Sequence, residues 1–146
     1  MGAYAPSFDP GKTYTFSGDK RTAEAAVEKG LSYNDGDFSW TDGNLKMNFY
    51  LKKTENLSQT ATINFGVKGV WALKQNVKVK INGKLAVKTK LNPDSTVLQA
   101  DFEVPEDRRI ELELVLPDKS SPYEEGVNDD KRRLGLRMVD MRVDLK

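Results

Sequence analysis

The sequence predicts an all-β fold, a two-sheet antiparallel sandwich of jelly-roll or galactose-binding-like type with at most one short peripheral helix. Three observations lead there. Apolar residues recur at every second position through most of the 146 residues, the period of a strand with one buried face. Turn residues separate these runs at Asp42-Gly43, Asn82-Gly83, Asn92-Pro93-Asp94 and Pro117-Asp118, close to the spacing of sandwiches and barrels. No long linker interrupts them, and the length suits one core, so residues 1–146 are expected to form a single domain.

The alternating runs follow in order. Tyr14 and Phe16 open the series, and Phe38 and Trp40 come next, with Trp40 expected in the core. Leu45, Met47, Phe49 and Leu51 alternate with Lys46, Asn48 and Tyr50. Ala61, Ile63, Phe65 and Val67 form another run, followed by Val77, Val79 and Ile81, then Leu85 and Val87. Leu98, Ala100, Phe102 and Val104 precede Ile110, Leu112, Leu114 and Leu116, where Glu111 and Glu113 mark a solvent face. Phe49, Phe65, Val79, Phe102, Leu112 and Leu114 are expected between the sheets. In the last segment, Leu134 to Leu145, the apolar phase changes, and a bulge near Met138 would keep both halves inward. Lys20 to Lys29 is the one helical candidate, a weak stripe of Ala23, Ala25, Ala26 and Val27 ended by Gly30.

The Asn82-Gly83 hairpin permits a prediction of register. A two-residue loop would put Lys84 and Lys88 on the Val79 face. A bulged turn with Gly83 at positive φ would instead pair Val79 with Leu85 and Val77 with Val87, leaving Lys78, Lys80, Ala86 and Lys88 outside.

The chain has no cysteine and no histidine. That removes disulfides, thiolate nucleophiles, sulfur-bound metals, the commonest general acid/base and the commonest transition-metal ligand. No catalytic residue, cofactor or metal is expected, and no apolar run reaches the ~18 residues of a transmembrane helix. The Met1-Gly2 start carries no secretion signal, and the chain is expected to be a fragment excised from a larger protein.

Charge is unevenly spread. Between Asn56 and Pro93 there are seven lysines and no acid, and Lys78, Lys80 and Lys88 would share one exposed face able to attract phosphate, an anionic polysaccharide or lipid headgroups. The alternative is a solvated face whose edge lysines discourage aggregation. Lysine without interleaved arginine and exposed aromatics argues against nucleic acid. From Asp94 to Asp130 twelve acidic residues face Arg108, Arg109 and Lys119. Glu124, Glu125, Asn128, Asp129 and Asp130 offer oxygen atoms that suit either calcium or capping of the loop's own amides and pairing with Lys131, Arg132 and Arg133. Trp40, Trp71, Tyr33, Tyr50 and Tyr123 could stack on a sugar ring, and Trp71 and Tyr123 are the preferred candidates.

Two stretches carry a family resemblance: GLSYNDGDFSWTDG at 30–43 and SPYEEGVNDDKRRLGLRM at 121–138, with VKVKINGK and the FEVP to LVLP stretch between them. They resemble an uncharacterised C-terminal β-sandwich module attached to bacterial membrane glycosyltransferases and phosphoglycerol-transferase-like enzymes of envelope polysaccharide synthesis. Asp37 and Phe38 depart from the family's pattern. The resemblance implies the periplasmic or extracytoplasmic side of the bacterial inner membrane, a parent membrane enzyme as partner, and a glycan or lipid-linked glycan as ligand. Arg132 joins Trp71, Tyr123, Lys78, Lys80 and Lys88 as a candidate ligand residue, since a guanidinium there can bridge two loops by paired hydrogen bonds. Three functions follow as expectations: a non-catalytic module that binds or positions a glycan, a docking domain for the parent enzyme, and, third, a glycan hydrolase requiring two inward carboxylates of raised pKa.

Overall fold

The alternating runs become strands whose apolar faces meet across one core. The computed structural model describes residues 5–146, so the Met1-Gly2 start lies outside the described residues. In chain order the strands are β1 (Ser7–Phe8), β2 (Tyr14–Thr15), β3 (Val27–Asn34), β4 (Ser39–Leu51), β5 (Thr60–Val70), β6 (Gln75–Ile81), β7 (Lys84–Leu91), β8 (Val97–Glu103), β9 (Arg109–Val115) and β10 (Leu134–Leu145). The hydrogen-bonded order is β7-β6-β9-β4-β10-β5-β8, with β1 and β3 also on β4 and β2 on β10. Every pairing is antiparallel except β1 with β4.

The long strand β4 joins the two sheets. Its first part pairs with β10 (Asp42 with Leu134, Trp40 with Arg137), and its second part, Leu45 to Tyr50, pairs with β9. One sheet is therefore β8-β5-β10-β4 and the other β4-β9-β6-β7. The Asp42-Gly43 signal predicted a turn, but the strand runs straight through it. Gly43 sits there at positive φ and donates its amide to Arg133 O, at the point where β4 changes partner.

Phe49, Phe65, Val79, Phe102, Leu112 and Leu114 are all buried between the sheets, as the alternation predicted. Truncating a buried Phe such as Phe65 to Ala costs about 3–5 kcal/mol, because it removes transfer energy and leaves a cavity. In β10 the ladder with β5 shifts register on both sides of Met138. Leu134, Leu136, Met138, Met141 and Val143 are thereby all buried.

Three further sequence expectations are corrected. The helix read over Lys20 to Lys29 is a five-residue 3-10 turn, Thr22–Ala26, which buries Ala23 and Ala26. The spacing of those two alanines suits a period of three, since side chains at i and i+3 eclipse in a 3-10 helix. Gly30 does not cap a helix. It lies within β3 at φ +96, where a Cβ would collide with the Asn44 carbonyl. The hairpin register also differs. Ile81 pairs with Lys84 across a two-residue turn with Asn82 at φ 52 and Gly83 at φ 82, the left-handed pair that suits the twist of a tight hairpin. The extra residue enters further along, between the Lys80–Leu85 and Val79–Val87 pairs. Val79 therefore faces Val87 rather than Leu85, and Leu85 is 55% exposed. The exposure of Lys78, Lys80 and Lys88 and the positive φ of Gly83 come out as predicted. Trp40, the third correction, belongs to the site.

Candidate functional site

Around Trp40 the alternation runs opposite to its apolar pattern. Ser39 and Thr41 are fully buried and Trp40 is only half-buried. The small hydroxyls go inward because each finds a backbone partner: Ser39 Oγ donates to Phe16 O at 2.6 Å, and Thr41 Oγ1 accepts from the Leu136 amide at 2.9 Å. A buried hydroxyl is tolerated once it is paired. Trp40 is thereby turned onto the outer face of the first sheet.

On that face Trp40 stands edge-on to Phe38, with ring centroids 5.8 Å apart and planes at 83°, and to Trp71 at 6.0 Å and 78°. Edge-to-face contacts of this kind place the positive rim of one ring on the negative face of the next. Trp71 follows the end of β5 and is fixed by its amide on Gly135 O. Its indole N–H donates to the Glu125 carboxylate. Arg137 of β10 lies over Phe38 and Trp40, 5.4 and 5.5 Å from their centroids. At the margin Lys68 pairs with Asp37, which holds the Asp37 carboxyl below its ordinary pKa.

The loop between β9 and β10 builds the adjoining part. Arg132 grips both carboxylate oxygens of Asp130 at 2.7–3.1 Å and reaches Ser32 Oγ at 2.8 Å and Asp35 at 3.2 Å. These hydrogen bonds, together with Asp130 accepting the Arg132 amide, depress the Asp130 pKa, and they leave the guanidinium holding its proton more tightly than usual. The same guanidinium covers Tyr33 at 4.5 Å, and Lys131 covers Tyr123 at 4.9 Å. Tyr33 and Tyr123 are 62% and 52% exposed. Gly135 allows the tight approach beneath this loop, since a Cβ there would meet Leu116 and Thr41 side-chain atoms at 2.8 and 2.9 Å.

Three of the residues singled out from sequence, Trp71, Tyr123 and Arg132, thus come together on or beside this loop. Trp71 is half-buried against Trp40 and Tyr123 is exposed beneath Lys131, whereas the donors of Arg132 are engaged by Asp130, Asp35 and Ser32. Lys78, Lys80 and Lys88 lie elsewhere, on the outer face of the second sheet. There β9 runs beside β6 and sets Glu113 opposite both Lys80 and Lys46, so the acid-free stretch of sequence becomes a mixed surface. Sequence reasoning named Trp40 among the possible stacking residues but expected it in the core, and it did not single out Phe38 or Arg137 for the site. The Phe38/Ser39/Trp40/Thr41 alternation was visible, but its phase was set by hydrogen bonds it does not show.

Several acidic residues of the loop are engaged by neighbouring groups. Glu125 holds Trp71, Glu124 approaches Arg133 at 3.6 Å, and the Asp130 amide donates to Asn128 Oδ1. Among the described residues no group of three or more His, Cys, Asp or Glu is placed to hold a metal. Asp37, Asp101 and Asp130 are all held below the ordinary carboxyl pKa by cationic or hydrogen-bonding neighbours. At the opposite seam, where the edge strands β7 and β8 approach, Leu85, Phe102 and Val104 together with Lys84, Asp101 and Glu103 help to line a mixed groove of about 400 Å³. No helix is long and apolar enough to cross a membrane among the described residues.

A family model described as Domain of unknown function (DUF7024) matches residues 8–145. The chain belongs to the DUF7024 family. No curated protein matches it. Among solved structures, the CBM36-1 domain of a multidomain xylanase from the hindgut metagenome of Trinervitermes trinervoides is similar to this DUF7024 chain at 12% identity. The match has a TM-score of 0.53 and covers 92% of this chain and 97% of that one. A cycloisomaltooligosaccharide glucanotransferase from Paenibacillus sp., complexed with cycloisomaltoheptaose, is similar at 9% identity with a TM-score of 0.51 over 90% of this chain and 18% of its own. A CBM35 from Paenibacillus barcinonensis matches at 14% identity and a TM-score of 0.45, covering 93% of this chain and all of its own, 100%. The DUF7024 domain therefore has a β-sandwich fold like that of carbohydrate-binding modules.

Proposed function

We propose that this DUF7024 domain is a non-catalytic glycan-binding module that uses the Trp71 face, and that it positions an envelope glycan or lipid-linked precursor for a parent glycosyl or phosphoglycerol transferase on the extracytoplasmic side of the membrane. The observation that carries the reading is Trp71 itself. Its ring is half-buried, fixed edge-on by Trp40 and tethered through its indole N–H to Glu125. An aromatic held rigid before the ligand arrives loses little entropy on stacking against a sugar ring, which favours binding. Tyr33 and Tyr123 extend the aromatic surface beside it. The fold shared with a carbohydrate-binding module supports the reading, and the sequence signatures at 30–43 and 121–138 support the parent enzyme and its location.

The test is titration of the isolated domain with envelope oligosaccharides, followed by amide NMR shifts. Trp71→Ala is expected to weaken binding by roughly tenfold or more, the loss of one stacked ring, without loss of the folded spectrum. Shifts confined to residues away from Trp71, Tyr33 and Tyr123 would refute the site. A protein-docking role is the second reading, favoured by the groove at the β7–β8 seam and by Leu85, an exposed apolar residue in its lining.

A further inference from the structure

Arg137 differs from the other six of the chain's seven arginines. Arg21, Arg108, Arg109, Arg132, Arg133 and Arg142 each donate at least one side-chain hydrogen bond. Among the described residues Arg137 finds no acceptor, and its Nε is buried without one. Both acids of this face make their hydrogen bonds to other groups, Asp37 with Lys68 and Glu125 with the Trp71 indole, although Asp37 also feels the Arg137 charge at longer range. What holds the guanidinium is aromatic. It lies over Phe38 and Trp40, and in the ladder it stands directly opposite Trp40.

A buried N–H without an acceptor, as Arg137 Nε is, costs a fold free energy, and native structures keep few such groups. Aromatic faces offset part of that cost and fix the fork in place. They supply no acceptor for its N–H groups. An acceptor arriving with a ligand would.

We infer that Arg137 is an anion hook, so that the sugar bound at the Trp71 face carries a carboxylate, as a uronic acid residue does. This rests on the glycan-binding reading and narrows it to a ligand class. The planar guanidinium fork matches a carboxylate through two parallel hydrogen bonds. Asp37 and Glu125 on the same face favour a monoanion, since a dianionic phosphate would meet two carboxylates with one unpaired cation to balance it.

Calorimetric titration of the full chain with trimers of galacturonic acid and of glucuronic acid, the methyl ester of the galacturonic trimer, and glucose 1-phosphate tests this. The acid trimers are expected to bind about tenfold more tightly than the uncharged ester, the worth of one charge-assisted pair. Arg137→Met is expected to abolish that difference, leaving acid and ester equally weak, while Arg137→Lys keeps part of it. Because Met removes the buried Nε that has no partner and keeps an apolar side chain against Phe38 and Trp40, its melting temperature is expected to equal or exceed that of the parent. A clear fall would make Arg137 a structural residue and overturn the hook.

Equal binding of acid and ester by the unaltered protein would also overturn it while leaving the glycan-binding reading standing. Tighter binding of glucose 1-phosphate than of either acid would overturn the carboxylate assignment. No binding of any of these, nor of neutral envelope oligosaccharides, would remove the glycan-binding reading and the hook together.

Discussion

At the Asp130–Arg132 pair two backbone segments far apart in sequence are tied by one guanidinium. The carboxylate of Asp130 is held below its ordinary pKa chiefly by the Arg132 side chain and then by the Arg132 amide. A carboxyl whose folded pKa is depressed contributes stability that is fully present above its unfolded value of about 3.9 and is lost as pH falls through the lower folded value. Asp37 and Asp101 are lowered as well, by Lys68 and by Lys146. Melting temperature is therefore expected to fall as pH drops below about 4, and Asp130→Asn is expected to make that fall shallower without removing it. Differential scanning calorimetry between neutral pH and pH 2 would measure it, and an unchanged slope in the variant would count against the role given to this pair. Phe38 and Trp40 show where single-residue reading fails. Their apolar character pointed inward, yet a buried Phe16 carbonyl and a buried Leu136 amide needed hydroxyl partners that only Ser39 and Thr41 could provide.

Among the elements, β6 and β7 carry an unfavourable pairing in plain view, for Lys78 and Lys88 stand directly opposite each other. Like charges across an antiparallel pair repel, and an opposite pair there contributes roughly 0.2–1 kcal/mol. Lys88→Glu is expected to stabilise the domain by about 0.5–1 kcal/mol in urea unfolding, and adding Lys78→Glu to it should cancel the gain by restoring like charges. The outward direction of both lysines was legible in the sequence, because Lys78 alternates with Val77, Val79 and Ile81, and Lys88 follows Val87 in the partner strand. The position of the bulge was not. Inserting the extra residue at the turn or two pairs further along satisfies the same alternation near Asn82-Gly83, and the choice follows from Asn82 adopting a left-handed conformation and accepting the Glu111 amide through its side chain. The helix read over Lys20 to Lys29 failed for a related reason: two buried alanines suffice for one 3-10 turn, and the residues after them pair with β4.

For the molecule as a whole, β4 is the element on which both sheets depend, lying against β10 at one end and β9 at the other. The strands furthest from it, β7 and β8, each pair on one side only. Opening of a local region is easiest where backbone partners are fewest. Amide exchange is expected to be slowest in β4, β10 and β5 and faster along the free edges of β7 and β8. Uniform protection would mean that the seam between those edges is closed more firmly than its pairing indicates. The sandwich itself was legible from the alternation and the turn residues. Its strand order was not, because the pairing of β9 and β10 with β4 joins residues 59 to 99 positions apart in sequence.

That strand order also governs how the domain emerges from a ribosome. The strand synthesised last, β10, belongs between β4 and β5, two of the earlier ones. Until it has cleared the exit tunnel, those two strands face each other across a gap with unpaired amides and carbonyls along both borders. The nascent chain must therefore carry open, adhesive edges through most of its synthesis and close them in a single late insertion. The Lys- and Glu-bearing outer faces keep such an intermediate dispersed while it waits.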